Sequence, residues 1–157
     1  MQIVEFSDFQ CPFCRTSYRV LKELRRTRGT DFALTYRHLP LQEVHPQAFN
    51  AAVAAECAAG QDRFASFHDE LFEQPNLVRA SEWLSLAEKA GIRDLDRFGS
   101  CLQQDRAADR VRRDLAVADS LGLVATPTFI VNGRVVTGTQ TLDEWVRILD
   151  DLSSEIR

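Results

Sequence analysis

Two cysteines three residues apart, in Cys11-Pro12-Phe13-Cys14, stand where an apolar run from Gln2 to Phe6 gives way to a helical pattern. Three chemistries fit such a pair: a thiol-disulfide couple, half of a metal site, or two buried thiols of no reactivity. Zinc takes four ligands, usually two such pairs or one pair with closely spaced histidines. Here Cys57 and Cys101 are single and far apart, and His38, His45 and His68 show no ligand spacing. Neither a metal nor any other cofactor is expected. Inert thiols are common in general, but a Cys-X-X-Cys that opens a helix after a strand raises redox chemistry above them.

The helix must position the pair. Proline is favoured at the first helical position because its missing N–H would have had no partner there. Pro12 therefore leaves Cys11 just before the first turn, where free N–H groups and the positive helix end stabilise a thiolate. Cys14 lies one turn in, on the face that continues with Tyr18, Leu21 and Leu24. A disulfide needs Cα atoms within about 7 Å, which a first-turn separation allows. The expectation is an asymmetric pair, with Cys11 exposed and attacking and Cys14 shielded and resolving. Each unit by which the Cys11 pKa falls stabilises the reduced form by about 1.4 kcal/mol where the thiolate dominates. A stabilised reduced form makes the disulfide a stronger oxidant.

Around the pair, Gln2 to Phe6 is apolar except for Glu5 and suits a central buried strand. Gly29 is placed to end the helix, and Phe32 to Arg37 reads as a second strand, giving a parallel βαβ unit. From about residue 44 the pattern is helical, with four or five helices punctuated by Gly60, Pro75 and Gly91. After Gly122, the runs Thr128 to Val131 and Arg134 to Thr137 flank Asn132-Gly133, a strong hairpin signal because both turn residues take positive φ. Thr141 and Glu144 form a capping box for a last helix with Leu142, Trp145, Val146 and Leu149 inward. The order is βαβ, a helical block, then ββα. That is an α/β domain built from residues 1–43 and 122–157, with residues 44–121 inserted as an all-helical subdomain.

A chain of 157 residues with a formal charge of -4 has enough apolar residues for a core without metal or disulfide scaffolding. Its basic residues are spread among acids, including those of the arginine-rich stretch 109–119, which argues against a nucleic-acid or anionic-membrane surface. No apolar run approaches the roughly 20 residues that cross a bilayer, and no basic segment with an apolar signal core opens the chain. The strand at residue 2 leads straight into the motif, which leaves room for a preceding signal peptide, anchor or domain that has been removed.

The motif Phe9-Gln10-Cys11-Pro12-Phe13-Cys14 after a strand, followed beyond a helical block by Ala125-Thr126-Pro127-Thr128-Phe129-Ile130-Val131-Asn132-Gly133, resembles the DsbA-like branch of the thioredoxin superfamily over nearly the whole chain. The short strand that usually precedes the segment beginning here at Gln2 is missing. The resemblance implies a thioredoxin-like fold and a thiol-disulfide oxidoreductase, most simply a disulfide oxidase acting on exported proteins. Reduced or misoxidised polypeptides would be its substrates, and a membrane quinone-linked partner would reoxidise it. A monomer outside the cytosol, for instance in the periplasm, is implied as well. A reductase or isomerase using the same cysteines, and a domain that only binds extended polypeptides, are the alternatives.

Several roles come from the resemblance alone. Pro127 would be cis beside the Cys11 sulfur, although only about 5–6% of X-Pro bonds are cis in general. The Thr126 backbone would pair with an extended substrate, and Pro12 and Phe13 would share that surface. Glu5 matches the buried acid that helps move a proton to or from the resolving cysteine; a salt-bridged or partly solvated strand carboxylate is the other reading. Some relatives carry a structural disulfide in the helical block, which implies a Cys57–Cys101 bond; two buried thiols in a reducing compartment are the alternative. Phe13 departs from the best-known members, which have histidine there. A phenylalanine offers the Cys11 thiolate neither charge nor hydrogen bond, so a milder oxidant is expected.

Overall fold

The computed structural model describes residues 1–155. Strand β1 (Gln2–Ser7), helix α1 (Pro12–Arg28) and strand β2 (Ala33–His38) form the opening βαβ unit, with β1 and β2 parallel and Glu5 opposite Tyr36. Strands β3 (Thr128–Val131) and β4 (Arg134–Thr137) return antiparallel, giving a four-stranded sheet of order β2-β1-β3-β4. Helix α8 (Leu142–Glu155) closes the described chain. The result is a thioredoxin-like α/β core with a large helical insertion between its two halves.

The insertion contains α2 (Ala48–Ala59), α3 (Phe64–Glu73), α4 (Pro75–Arg79), α5 (Trp83–Lys89), α6 (Leu95–Leu102) and α7 (Asp105–Ser120). The expectation of four or five helices undercounts them. The difference lies in α4 and α5, which span only 5 and 7 residues and show too little of a 3.6-residue period to be separated by pattern.

Alternation along β1 sorts the two faces of the sheet. Ile3 points to the side of α1 and α8, where it joins Leu21, Leu24, Phe129, Trp145 and Leu149. Val4 and Phe6 point the other way, onto Leu39, Leu115 and Ala118. Phe129 and Trp145 meet edge to face at 4.9 Å between centroids, a geometry that contributes about 0.5–1.5 kcal/mol beyond area burial. A third cluster joins Cys14 and Tyr18 of α1 to the inserted helices, so the block packs directly behind the cysteine pair.

Local signals account for the ends of these elements. Asn132 and Gly133 take φ of 47° and 87° in the β3–β4 turn. The Asn132 side chain also accepts a hydrogen bond from the Gln2 amide, tying the turn to the start of β1. Thr141 and Glu144 close the capping box reciprocally: the Glu144 amide donates to Thr141 Oγ1 and the Thr141 amide to Glu144 Oε2. Gly29 ends α1, but with an ordinary right-handed φ of -63° rather than a left-handed one. What requires glycine there is space, since a Cβ would sit 2.3 Å from the Arg25 carbonyl oxygen.

Candidate active site

The loop between β1 and α1 is held by Asp8. Its carboxylate accepts from the Gln10 amide (2.7 Å), the Leu41 amide (2.8 Å) and His45 Nδ1 (2.8 Å), while its carbonyl accepts from the Cys11 amide (3.2 Å). A buried carboxylate with three donors fixes both the approach to Cys11 and the loop after β2. Asp8 and His45 stand outside the motif, and nothing in their spacing marks this role.

Cys11 is the N-cap of α1, as Pro12 at N1 requires, and the Cys14 amide donates to its sulfur at 3.4 Å. The Thr126–Pro127 peptide is cis, and it brings the Thr126 carbonyl oxygen 3.6 Å from Cys11 Sγ, which donates to it. Thr139 Oγ1 donates to the Phe13 carbonyl at 3.1 Å, and the Gly138 amide to the Pro127 carbonyl at 2.8 Å, so both segments are clasped by the end of the β hairpin.

The expectation of an exposed Cys11 needs correction. Cys11 is only 4% exposed and Cys14 is fully buried. The first helical turn and the Thr126 carbonyl close over the sulfur from two sides. Exposure belongs to its neighbours. Phe13 is 65% exposed, and Val124, two residues before Thr126, is 85% exposed. Pro12 is exposed, Thr126 half-buried and Pro127 buried. Cys11 and Cys14 are both free thiols, whereas Cys57 and Cys101 are joined by a disulfide that links α2 to α6.

The two thiols are electrostatically unlike. The Cys14 thiol, donating to the Cys11 sulfur, is the largest influence on Cys11 and lowers its pKa to about 6. Burial opposes the shift, and the Thr126 hydroxyl and the amides of Cys14 and Phe13 add to it. Burial first, and then the Cys11 thiolate, push Cys14 far above the usual thiol range. Glu5 is 2% exposed on the α1 side of β1 and forms no ion pair among the described residues; burial raises its pKa, against smaller opposing effects of His68 and Ser7.

Ser7, Tyr36 and His68 join this environment without having been marked by the sequence. Ser7 lies two residues beyond Glu5 and so on the same strand face, a signal that period-2 reading could have supplied. Tyr36 comes from the register of β2, and His68 from the packing of α3 on α1.

The thioredoxin family model matches residues 1–151. Relatives include a Na(+)/H(+) antiporter of Salinispora tropica, 42% identical over 132 residues, and one of Salinispora arenicola, 40% identical over 141 residues. The matches cover 84% and 90% of this chain but 20% and 21% of the antiporters, so the chain spans about a fifth of the length of these relatives. Among solved structures, a thioredoxin-like oxidoreductase from Silicibacter pomeroyi superposes with a TM-score of 0.84 at 24% identity, covering 98% of this chain and 86% of that one. BdbD from Bacillus subtilis superposes with a TM-score of 0.80 at 22% identity, covering 96% and 85%. The chain belongs to the thioredoxin family. Its fold is that of the DsbA-like thiol-disulfide oxidoreductases, with a close cysteine pair at the start of α1.

Proposed function

We propose that the chain is a disulfide oxidase that introduces disulfides into exported proteins through Cys11 and Cys14. The observation that carries this reading is the placement of the two thiols, Cys11 capping α1 against the cis Thr126–Pro127 segment and Cys14 fully buried one turn in, which lowers the Cys11 pKa and raises that of Cys14. In the oxidised protein a substrate thiolate attacks Cys11, and the Cys11–Cys14 bond opens with Cys14 as leaving group. A second substrate thiolate then attacks the substrate sulfur of the mixed disulfide and expels Cys11. Two substrate thiols lose two electrons and two protons; Cys14 takes one proton, and the other passes to solvent or to Cys11. A low pKa makes Cys11 the better leaving group in the second step, which favours donation.

Glu5 is the proposed acid beside Cys14. An extended substrate would add to the Thr126 backbone, with the exposed Phe13 and Val124 side chains supplying apolar contact. The Cys57–Cys101 disulfide supports an extracytoplasmic setting, since such bonds persist in oxidising compartments. A membrane quinone-linked oxidase would restore the Cys11–Cys14 bond, and the chain would act as a monomer. The antiporter relatives bear the name of an ion exchanger, and this chain matches about a fifth of their length. Among the described residues no helix is long and apolar enough to cross a membrane. Thiol exchange through Cys11 and Cys14 is the activity proposed for this segment.

Equilibration against a glutathione series, read by alkylation and mass so that Cys57 and Cys101 are counted separately, tests the proposal. A midpoint at about -120 to -180 mV is expected of a disulfide donor, whereas one near about -270 mV marks a reductase. Absence of any reversible Cys11–Cys14 disulfide refutes both. Peptide binding that survives in a Cys11→Ser, Cys14→Ser double variant, with no turnover in the parent, would leave only a binding domain.

A further inference from the structure

Cys14 must take up a proton whenever the disulfide opens and release one whenever it closes, yet it is fully buried. The Cys11 side offers little room, because that sulfur is itself covered by the Thr126 carbonyl. Other buried polar atoms lie on the α1 face of β1 and on β2. Ser7 Oγ, Glu5 Oε1 and Tyr36 OH are all buried and, among the described residues, make no hydrogen bond of normal geometry. Ser7 and Glu5 share the α1 face of β1, and Tyr36 sits opposite Glu5 on β2. Glu5 and Tyr36 also line a cavity of about 640 Å³ between α1 and α3. Its lip carries Lys22 and Asp69, with side chains 57% and 43% exposed, so it communicates with solvent. The cavity wall is mostly apolar, but Glu5, Tyr36, His68 and Asp69 supply polar groups to it, and its volume is roomy enough for water. His68 stands in its wall, 5.0 Å from Tyr36 between ring centroids and 3.0 Å from the Asp69 carboxylate through Nδ1.

We propose that Ser7 and Tyr36 relay a proton between Cys14 and this cavity by way of Glu5, with the His68–Asp69 pair at the solvent end. The relay rests on the thiol-exchange reading above and adds the path its buried thiol needs. On opening, a substrate thiolate bonds to Cys11 Sγ, the Cys11–Cys14 bond breaks, and its electron pair goes to Cys14 Sγ. A proton then reaches that sulfur from the Ser7 hydroxyl, which regains one from Glu5 or Tyr36, and these from cavity water. Closing runs the same steps backwards, so the relay is restored with no further reactant. Ser7 lies near enough to Glu5, Cys14 and Tyr36 to lower the pKa of each, while burial keeps both Glu5 and Tyr36 protonated beyond their ordinary ranges. Cys14, pushed up by burial, is a poor leaving group unless a proton arrives with the electrons.

Ser7→Ala and Tyr36→Phe each delete one buried oxygen that makes no hydrogen bond of normal geometry among the described residues, so both variants should fold. A relay changes rates in both directions and no equilibrium. General acid–base assistance is worth about 10²–10⁴-fold, and loss of one relay member is expected to slow both opening by excess reduced glutathione and closing by oxidised glutathione about tenfold. The midpoint potential and the pH midpoint of Cys11 alkylation should stay at their parent values. Ala65→Phe, at the exposed lip of the cavity, should slow both directions in the same way. Parent rates in Ser7→Ala and Tyr36→Phe overturn the relay while leaving the thiol-exchange reading intact. A parent disulfide that glutathione does not open at all sinks both.

Discussion

Removing the Cys14 thiol should raise the pKa of Cys11, because that thiol is the largest influence lowering it to about 6. The change is Cys14→Ala, which leaves the helix end and the backbone donors of Cys14 and Phe13 in place. A hydrogen bond to a charged group contributes about 1.5–3 kcal/mol and one pKa unit corresponds to about 1.4 kcal/mol, so a rise of about one to two units is expected. At the upper figure the thiolate fraction at pH 7 falls about tenfold. A thiolate of higher pKa is also a stronger nucleophile, by about eightfold over two units at a Brønsted slope near 0.45, so the rate at one pH would scarcely move. The informative quantity is therefore the pH midpoint of alkylation, checked by thiolate ultraviolet absorbance. Cys14→Ser keeps an O–H donor and should hold the midpoint closer to the parent. A midpoint that stays near 6 in Cys14→Ala would refute the reasoning, since the Thr126 hydroxyl and the helix end would then suffice alone.

Thr126→Val removes a hydroxyl that lowers the Cys11 pKa; one unit lost corresponds to about 1.4 kcal/mol, so the Cys11–Cys14 potential should become more negative by up to about 30 mV in a glutathione titration. Phe13→His places an imidazolium donor at a 65% exposed position beside the thiolate and should lower the Cys11 alkylation midpoint and make the potential less negative; no change in either means residue 13 does not reach the sulfur. Glu5 keeps its proton to higher pH folded than unfolded, so between its ordinary carboxyl value and its raised folded value the unfolded chain releases the proton first and stability falls as pH rises. Glu5→Gln should remove that fall and stabilise the protein at neutral pH, which urea unfolding at several pH values would reveal. Breaking the Cys57–Cys101 bond with Cys57→Ala and Cys101→Ala, across a separation of 44 residues, should cost about 4 kcal/mol on the chain-entropy account. The Cys11–Cys14 potential should be unaffected, with urea midpoints and redox titration read on the same sample.

Local chemistry wrote much of this protein into its sequence. Pro12 after Cys11 sets the helix start, Asn132-Gly133 sets the hairpin, Thr141 with Glu144 caps α8, and Cys14, Tyr18, Leu21 and Leu24 declare the buried face of α1. Each depends on contacts within a few residues, so each is legible without knowing the rest of the chain. The resemblance carried by residues 9–14 and 125–133 adds the cis Pro127 beside Cys11 and the pairing of Cys57 with Cys101.

What remained hidden depends on residues far apart in the chain. Burial of Cys11 depends on the Thr126 carbonyl, 115 residues away, swinging over a sulfur that the helix end alone would have left open. Asp8 meets His45 and Leu41 only because the loop after β2 folds back on it. Tyr36 faces Glu5 through strand register, and His68 meets Tyr36 through the packing of α3 on α1, so neither contact leaves a periodic trace. The sequence by itself determined which sulfur caps the helix and which lies one turn inside it, since both follow from the first turn. Tertiary structure alone decided how deeply each is covered and which groups surround Cys14, because burial and through-space electrostatics are sums over neighbours that chain order does not specify.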